Sequence, residues 1–218
     1  MNRSAPLKPL LILGTRPYAL VFADAFSDLP GFHVTGFVEN LDRDRCRDSM
    51  EGLPIYWIDD IAPFATTHAV ICSLSTTFRD RFIEPVKRMG FDFLTLVHPT
   101  GYVSRKSTLG PGVSINVGSI VAGYTSIGSY VQINRGVTVG HHTVIEDYAT
   151  LQPGVQLAGN CRVGHHTYLG IGAVIVDGVT IGAHCVIGAG AVVTRDLPDR
   201  VLAVGVPAKV VREGIEGK

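Results

Sequence analysis

Two hydrophobic rhythms run along the chain, and one gives way to the other near His98. Before it, short apolar runs alternate with stretches of helical spacing. Leu10-Leu11-Ile12-Leu13 predicts a buried strand that ends at Gly14. Pro17 suits the first turn of a helix, and Tyr18 to Phe26 continues it. His33 to Val38 and Ala69 to Cys72 read as strands, Thr77 to Met89 as a helix, and Phe93 to Val97 as a fourth strand. Strand–helix alternation predicts a parallel sheet. Ligands of such sheets sit beyond the carboxyl ends of the strands. That directs attention to Gly14-Thr15-Arg16, to Glu39-Asn40, and to Ser73 through Thr77.

From Val103 to Val193 the rhythm is different: every sixth residue, sixteen times in sixteen, is Val, Leu or Ile. Two residues before each of the last fifteen stands Ser, Thr, Ala, Cys or Val, and the residue after the aliphatic is Gly in seven units. One long helix cannot use this period, because six residues at ~100° each spread the aliphatics over three faces. An even period suits a strand, on which the aliphatic and the small residue two before it point the same way. A flat side followed by a glycine-rich corner, repeated, describes a three-sided coil. Stacked coils make a parallel β-helix of about five turns.

Composition sharpens the division. Of 25 glycines, twenty lie after residue 98, while all nine Phe and the single Trp lie before it. Two domains are therefore expected: residues 1–98, an α/β Rossmann-like unit, and residues 99–218, the β-helix with a C-terminal tail. Charge is balanced at 19 basic and 19 acidic residues, which leaves no electrostatic footprint for nucleic acid or an anionic membrane. No apolar run approaches the ~20 residues of a membrane span, and MNRSAPLKP is no secretory signal. Four scattered cysteines without a CxxC suit a reduced compartment, so the expected location is the cytoplasm.

The nucleotide signal in the first unit is weak. A dinucleotide turn would read G-x-G-x-x-G, and this one reads Gly14-Thr-Arg-Pro-Tyr-Ala, which does not support NAD. Arg16 can meet a phosphate at the helix N-terminus or lie in solvent. Tyr18 can stack on a base or pack against the sheet. Glu39 can accept from a ribose or base edge, or be solvated.

The hexads, with units such as Val163-Gly-His-His-Thr-Tyr and Ile181-Gly-Ala-His-Cys-Val, and the closing Val204-Gly-Val-Pro-Ala-Lys-Val-Val, resemble the hexapeptide-repeat acyltransferases. With the small α/β unit in front, the chain resembles their sugar acetyltransferase branch, the sialic acid O-acetyltransferases and bacillosamine-type N-acetyltransferases. The resemblance implies a left-handed β-helix and a homotrimer with active sites between subunits. It also implies transfer from acetyl-CoA to a nucleotide-linked 4-amino-4,6-dideoxysugar, GDP- or UDP-linked, for surface polysaccharide. The alternatives are O-acetylation of a sialic-acid-type sugar and a non-enzymatic β-helix scaffold.

Acetyl transfer needs a base, a donor for the thioester oxyanion and a groove for acetyl-CoA. Histidine is the natural base near neutral pH, and the hexads hold His141, His142, His165, His166 and His184. The family's catalytic segment reads Asn, six residues, His, then an acid. Here it runs from Asn134 to His141, so the resemblance gives His141 the base role and Asn134 the nearby polar contact. His142 replaces the acid. Resemblance likewise matches the acetyl-CoA contacts to Thr150, Gly159, Ile171, Gly188 and Ala189, with Thr150 departing from the His of one branch. Cys161 and Cys185 hold the small inward position and read as core. No metal is expected: the β-helical carbonic anhydrases use two His five residues apart, a spacing absent from residues 103–193.

Overall fold

The computed structural model describes residues 7–27, 29 and 31–218. The chain divides into two compact units, one of residues up to Leu74 with Arg79–Leu94, the other of Ser75–Phe78 with Thr95–Lys218.

In the first unit β1 (Lys8–Leu13) lies between β2 (Phe32–Glu39) and β5 (Ala69–Cys72), both parallel to it. Outside β2 come β4 (Leu53–Trp57) and the short antiparallel β3 (Ser49–Met50), and outside β5 comes β6 (Asp92–Phe93). The central strand is apolar throughout its second half, with Leu11, Ile12 and Leu13 fully buried, as a strand covered on both faces must be. Helix α1 (Pro17–Ala25) buries Ala19 and Phe22, and α2 (Asp80–Arg88) buries Phe82, Ile83 and Val86. Leu53–Trp57 and the 3-10 turns Arg43–Arg47 and Ile58–Phe64 lack a strong period and were not foreseen. The expected strand Phe93–Val97 is two strands: Asp92–Phe93 pairs with β5, and Leu96–Val97 pairs with Ser114–Ile115 in the second unit.

The second unit is a three-faced parallel β-helix built of two-residue strands. From Leu96 to Val193 pairing joins residues eighteen apart, as in Thr138↔Gln156 and Val144↔Arg162, so three hexads make one coil. The first face carries Thr138–Val139 and its partners, the second Val144–Ile145, the third Thr150–Leu151. The hexad aliphatics form the column inside. From Ile115 to Val193 all are buried, while Val103 and Leu109, in the first coil, are only partly so. The small residues share that interior, and their hydroxyls are used twice. Thr167 Oγ donates to the Gly182 carbonyl at 2.7 Å and accepts the Cys185 N–H at 3.0 Å. Ser119 does the same with Asn134 and Val137. A buried hydroxyl so satisfied escapes the penalty of an unpaired polar group.

From Gly112 to Gly190 each corner turns through one left-handed residue. Fourteen successive corners from Gly112 to Gly190, six residues apart, have φ between 55° and 74° at this position. The corners fall on three edges. Edge one follows the first face and holds Tyr124, His142, Asn160 and Gly178 at the left-handed position. Edge two follows the second face and holds Gly112, Tyr130, Tyr148, His166 and His184. Edge three, after the third face, is glycine at all five: Gly118, Gly136, Gly154, Gly172 and Gly190.

Among the described residues no helix is long and apolar enough to cross a membrane. Truncating the column should be costly where it is closed. Leu151→Ala is expected to lower the unfolding free energy by about 2–5 kcal/mol. Leu109→Ala, at the partly buried end, should cost less than half as much by urea denaturation.

Candidate active site

The candidate residues of the first unit converge at the carboxyl ends of β1, β2 and β5. Gly14 has φ +119°, and a Cβ there would lie 2.7 Å from Ser73 Oγ, so the turn admits only glycine. Ser73 in turn donates its N–H and Oγ–H to the Leu13 carbonyl, at 3.0 and 3.1 Å. Glu39 is neither solvated nor a free acceptor. It is 5% exposed, and its Oε1 accepts the Asn40 and Leu41 N–H groups at 2.9 and 2.8 Å. Its Oε2 accepts from Thr15 Oγ and lies 3.4 Å from Arg45 Nε. Burial alone would raise its pKa, but the hydrogen bonds from Thr15, Leu41 and Asn40 outweigh burial and hold it below the ordinary carboxylate value. Glu39 thus ties the β1 and β2 loops together. Arg16, exposed at the N-cap of α1, and Tyr18, half-buried, flank this turn.

The β-helical candidates do not share one edge. His141, His142 and Gly159 lie on edge one, where the Asn160 N–H donates to the His141 carbonyl at 2.8 Å. Asn134, Ile171, Gly188 and Ala189 lie on edge three, where the Gly190 N–H donates to the Ile171 carbonyl at 2.8 Å. Asn134 is 4% exposed and its Oδ1 accepts the Arg135 N–H at 2.8 Å, repeating what Asn116 does one coil earlier at 2.7 Å. Thr150 is buried on the third face, which leaves its side chain no corner surface to offer a ligand.

At edge one the two imidazoles are locked together. His141 Nδ1 lies 3.1 Å from His142 Nδ1, and the rings stand nearly perpendicular at 84°. His142 stacks on Tyr124, with ring centroids 4.9 Å apart and planes 19° apart. One Nδ1 of the pair must carry the proton. If it is that of His141, His142 Nδ1 is the acceptor and His141 Nε2 keeps a free lone pair, the tautomer a base requires. Tyr124 was missed by spacing alone. Its only sequence signal is an aromatic residue at a corner position where glycine costs least.

Gly159 has a specific role on this edge. A Cβ there would lie 2.6 Å from His141 Cε1 and 2.8 Å from Nε2, so its missing side chain is the space the imidazole occupies. Cys161 and Cys185 are buried in the column, and burial pushes both thiols up; Cys72, buried in the first unit, is pushed up to about 11. They are not poised as nucleophiles.

A three-faced helix built of hexads with a paired-histidine corner is the architecture of hexapeptide acyltransferases, and residues 160–195 match the bacterial transferase hexapeptide (six repeats) family. Perosamine N-acetyltransferase from Caulobacter crescentus, solved with CoA and GDP-perosamine, is 31% identical over 95% of this chain and 99% of its own, with a TM-score of 0.87. That structure carries a histidine-to-asparagine replacement, and a second carries histidine-to-alanine. The acetyltransferase domain of PglB from Neisseria gonorrhoeae, solved with acetyl coenzyme A, is 25% identical over 94% of this chain and 100% of its own, with a TM-score of 0.87. WeeI from Acinetobacter baumannii, 24% identical over 93% of this chain and 99% of its own, shares the fold with a TM-score of 0.82. No curated protein matches the sequence significantly. The chain belongs to the hexapeptide-repeat sugar acetyltransferases, and it is an acyltransferase.

Two outcomes test these geometries. Gly159→Ala should displace the exposed His141 ring and lower kcat at least about tenfold, since an ångström of misplacement can cost 100-fold. The same variant should leave the melting temperature nearly unchanged. For Glu39 the lowered folded-state pKa means its contribution to stability is present above the unfolded-state value and lost as pH falls through the lowered one. Denaturation across the acidic range should therefore show a stability loss in the wild type that Glu39→Gln, already weakened at neutral pH, largely lacks.

Proposed function

We propose that the protein transfers the acetyl group of acetyl-CoA to the 4-amino group of a nucleotide-linked 4-amino-4,6-dideoxysugar, GDP-perosamine, with His141 as general base. The observation that carries this reading is the exposed His141 imidazole, held at Nδ1 by His142 and given its space by Gly159. A relative above 30% identity over nearly the whole chain that binds CoA and GDP-perosamine supports it.

In this mechanism the sugar amine attacks the thioester carbon, forming a C–N bond and placing negative charge on the carbonyl oxygen. His141 Nε2 takes the proton from the attacking nitrogen. The tetrahedral adduct then collapses, the C–S bond breaks, and CoA leaves as thiolate to be reprotonated. His141 Nδ1–H points to the His142 lone pair throughout, which steadies the imidazolium. CoA itself would lie in a groove whose contacts include Gly159, Ile171, Gly188 and Ala189. Because edge one and edge three are separate edges of one chain, that groove belongs between the edge one of one subunit and the edge three of a neighbour, in a homotrimer. Glycine at every left-handed position of edge three supports this, since a bare backbone permits close approach.

The first unit is read as the Rossmann-like holder of the nucleotide sugar, through Gly14, Thr15, Arg16, Tyr18, Asn40 and Ser73, with Glu39 setting the loops. The enzyme would act in the cytoplasm, in O-antigen or related surface polysaccharide synthesis.

Release of CoA thiol is the measurement. Purified protein should release it with GDP-perosamine, less with UDP-linked 4-amino sugars, and not with free sialic acid. His141→Asn should lower kcat by about 100- to 10,000-fold. Turnover of sialic acid alone would replace this reading with O-acetylation, and near-normal activity of His141→Asn would remove the base from His141.

A further inference from the structure

Edge two carries chemistry that the acyl transfer does not use. Its left-handed positions build a stack of rings, Tyr130 on Tyr148 at 5.1 Å, Tyr148 on His166 at 4.8 Å, and His166 on His184 at 5.0 Å. Left-handed φ costs a side-chain-bearing residue roughly 1–3 kcal/mol that glycine avoids. His165 joins the stack from the side, its ring 4.8 Å from that of His184 and nearly perpendicular to it.

We infer that His165, His166 and His184 form a binding site for a divalent transition-metal ion of the zinc class. One ring nitrogen from each of the three lies within 4.8 Å of the others. His165 Nδ1 and His166 Nδ1 are already 3.1 Å apart. At zinc–nitrogen bonds of about 2.0–2.1 Å, two tetrahedral ligands stand about 3.3–3.4 Å apart, so this pair needs almost no movement. The third member brings an independent sign of a ligand. His184 Nδ1 is shielded from solvent and has no hydrogen-bond partner. A buried ring nitrogen without a partner is costly, and coordination satisfies it.

The surroundings suit a cation. Glu146 Oε2 accepts the His165 backbone N–H at 3.0 Å and fixes the corner, its other oxygen being paired with Arg162, and Glu146 and Asp147 line the cleft beside the histidines. Imidazole ligands select zinc, cobalt, nickel or copper over magnesium or calcium, whose preferred donors are oxygens. Three histidines leave one tetrahedral position open to water or another small ligand.

Edge one supplies the internal comparison. His141 and His142 show the same 3.1 Å approach, but one coil onward that edge has Gly159 and Asn160, where edge two has Ala183 and His184. The pair lacks a third imidazole. The two edges thus separate a two-histidine base from a three-histidine metal site.

The test uses the full chain, stripped with chelator and dialysed against Zn2+, with bound metal measured by atomic emission and Co2+ binding read from its visible bands. Wild type should hold about one ion per chain in a four-coordinate site. His166→Gln and His184→Gln should each weaken binding more than about tenfold, since losing even an outer-shell partner costs 10- to 100-fold. His142→Gln should bind like the wild type. His165→Gln, at an exposed ring, provides the same test should either stacked variant fail to fold by circular dichroism. Absence of saturable binding in the wild type would overturn the site, as would wild-type affinity in the folded edge-two variants or loss of binding in His142→Gln.

Discussion

Closing a coil in eighteen residues is the constraint on which the second unit depends. Each strand contributes two residues, too few to hold by pairing alone, so the corners must bring every hexad aliphatic back to the same column. One left-handed residue per corner does this. Glycine meets the demand at least cost, and seven of the fourteen corners from Gly112 to Gly190 use it. The other seven accept the penalty in order to carry a side chain. Asn160 accepts it most easily, because asparagine tolerates this conformation. The tyrosines accept it least easily, and with the histidines they are the residues that stack into the two aromatic columns.

The corner residue therefore acts as an address. A residue's place in the hexad decides whether it faces the column, the face or the corner, and its place in the eighteen-residue coil decides which edge. Edge three is smooth, edge one carries the His141–His142 pair, and edge two carries the three-histidine cluster. This explains how one repeat can hold distinct sites without distorting its core. Substitutions at the corner change what an edge presents, while the buried hydroxyls and aliphatics keep the register. Gly159 shows the limit of that freedom, since its missing side chain is the seat of a ring from the preceding coil.

Much of this was legible in the sequence, and the reasons for the rest are physical. The parallel β-helix could be read because sixteen aliphatics at period six admit no other regular structure. The central strands of the first unit could be read from their continuous apolar runs. Glu39 was legible as a polar residue at a strand end, but not as a buried one, because its partners Thr15 and Arg45 are brought to it only by the fold. The gathering of His165, His166 and His184 was hidden for a similar reason. Spacing between ligands was judged along the chain, whereas His184 reaches His166 by standing eighteen residues on, directly above it in the next coil. The split of Phe93–Val97 into two strands was hidden because both halves are apolar, and only pairing tells to which sheet each belongs.

The replacement of an acid by His142 bears on the acceptor. A carboxylate beside a catalytic imidazole holds the imidazolium by charge, which favours early removal of a proton. His142 offers a neutral lone pair instead, oriented by its stack on Tyr124. Such a partner fixes the tautomer and the ring plane but stabilises a positive imidazolium less than an anion would. A hydroxyl acceptor gives up its proton as it attacks, so it draws heavily on the base. A neutral amine attacks with its own lone pair and becomes acidic only once bonded to carbon, so the proton leaves late and needs less help. If His141 is the base, as proposed, the His141–His142 pair suits an amine more closely than a hydroxyl, in keeping with the proposed sugar whose nucleophile is nitrogen.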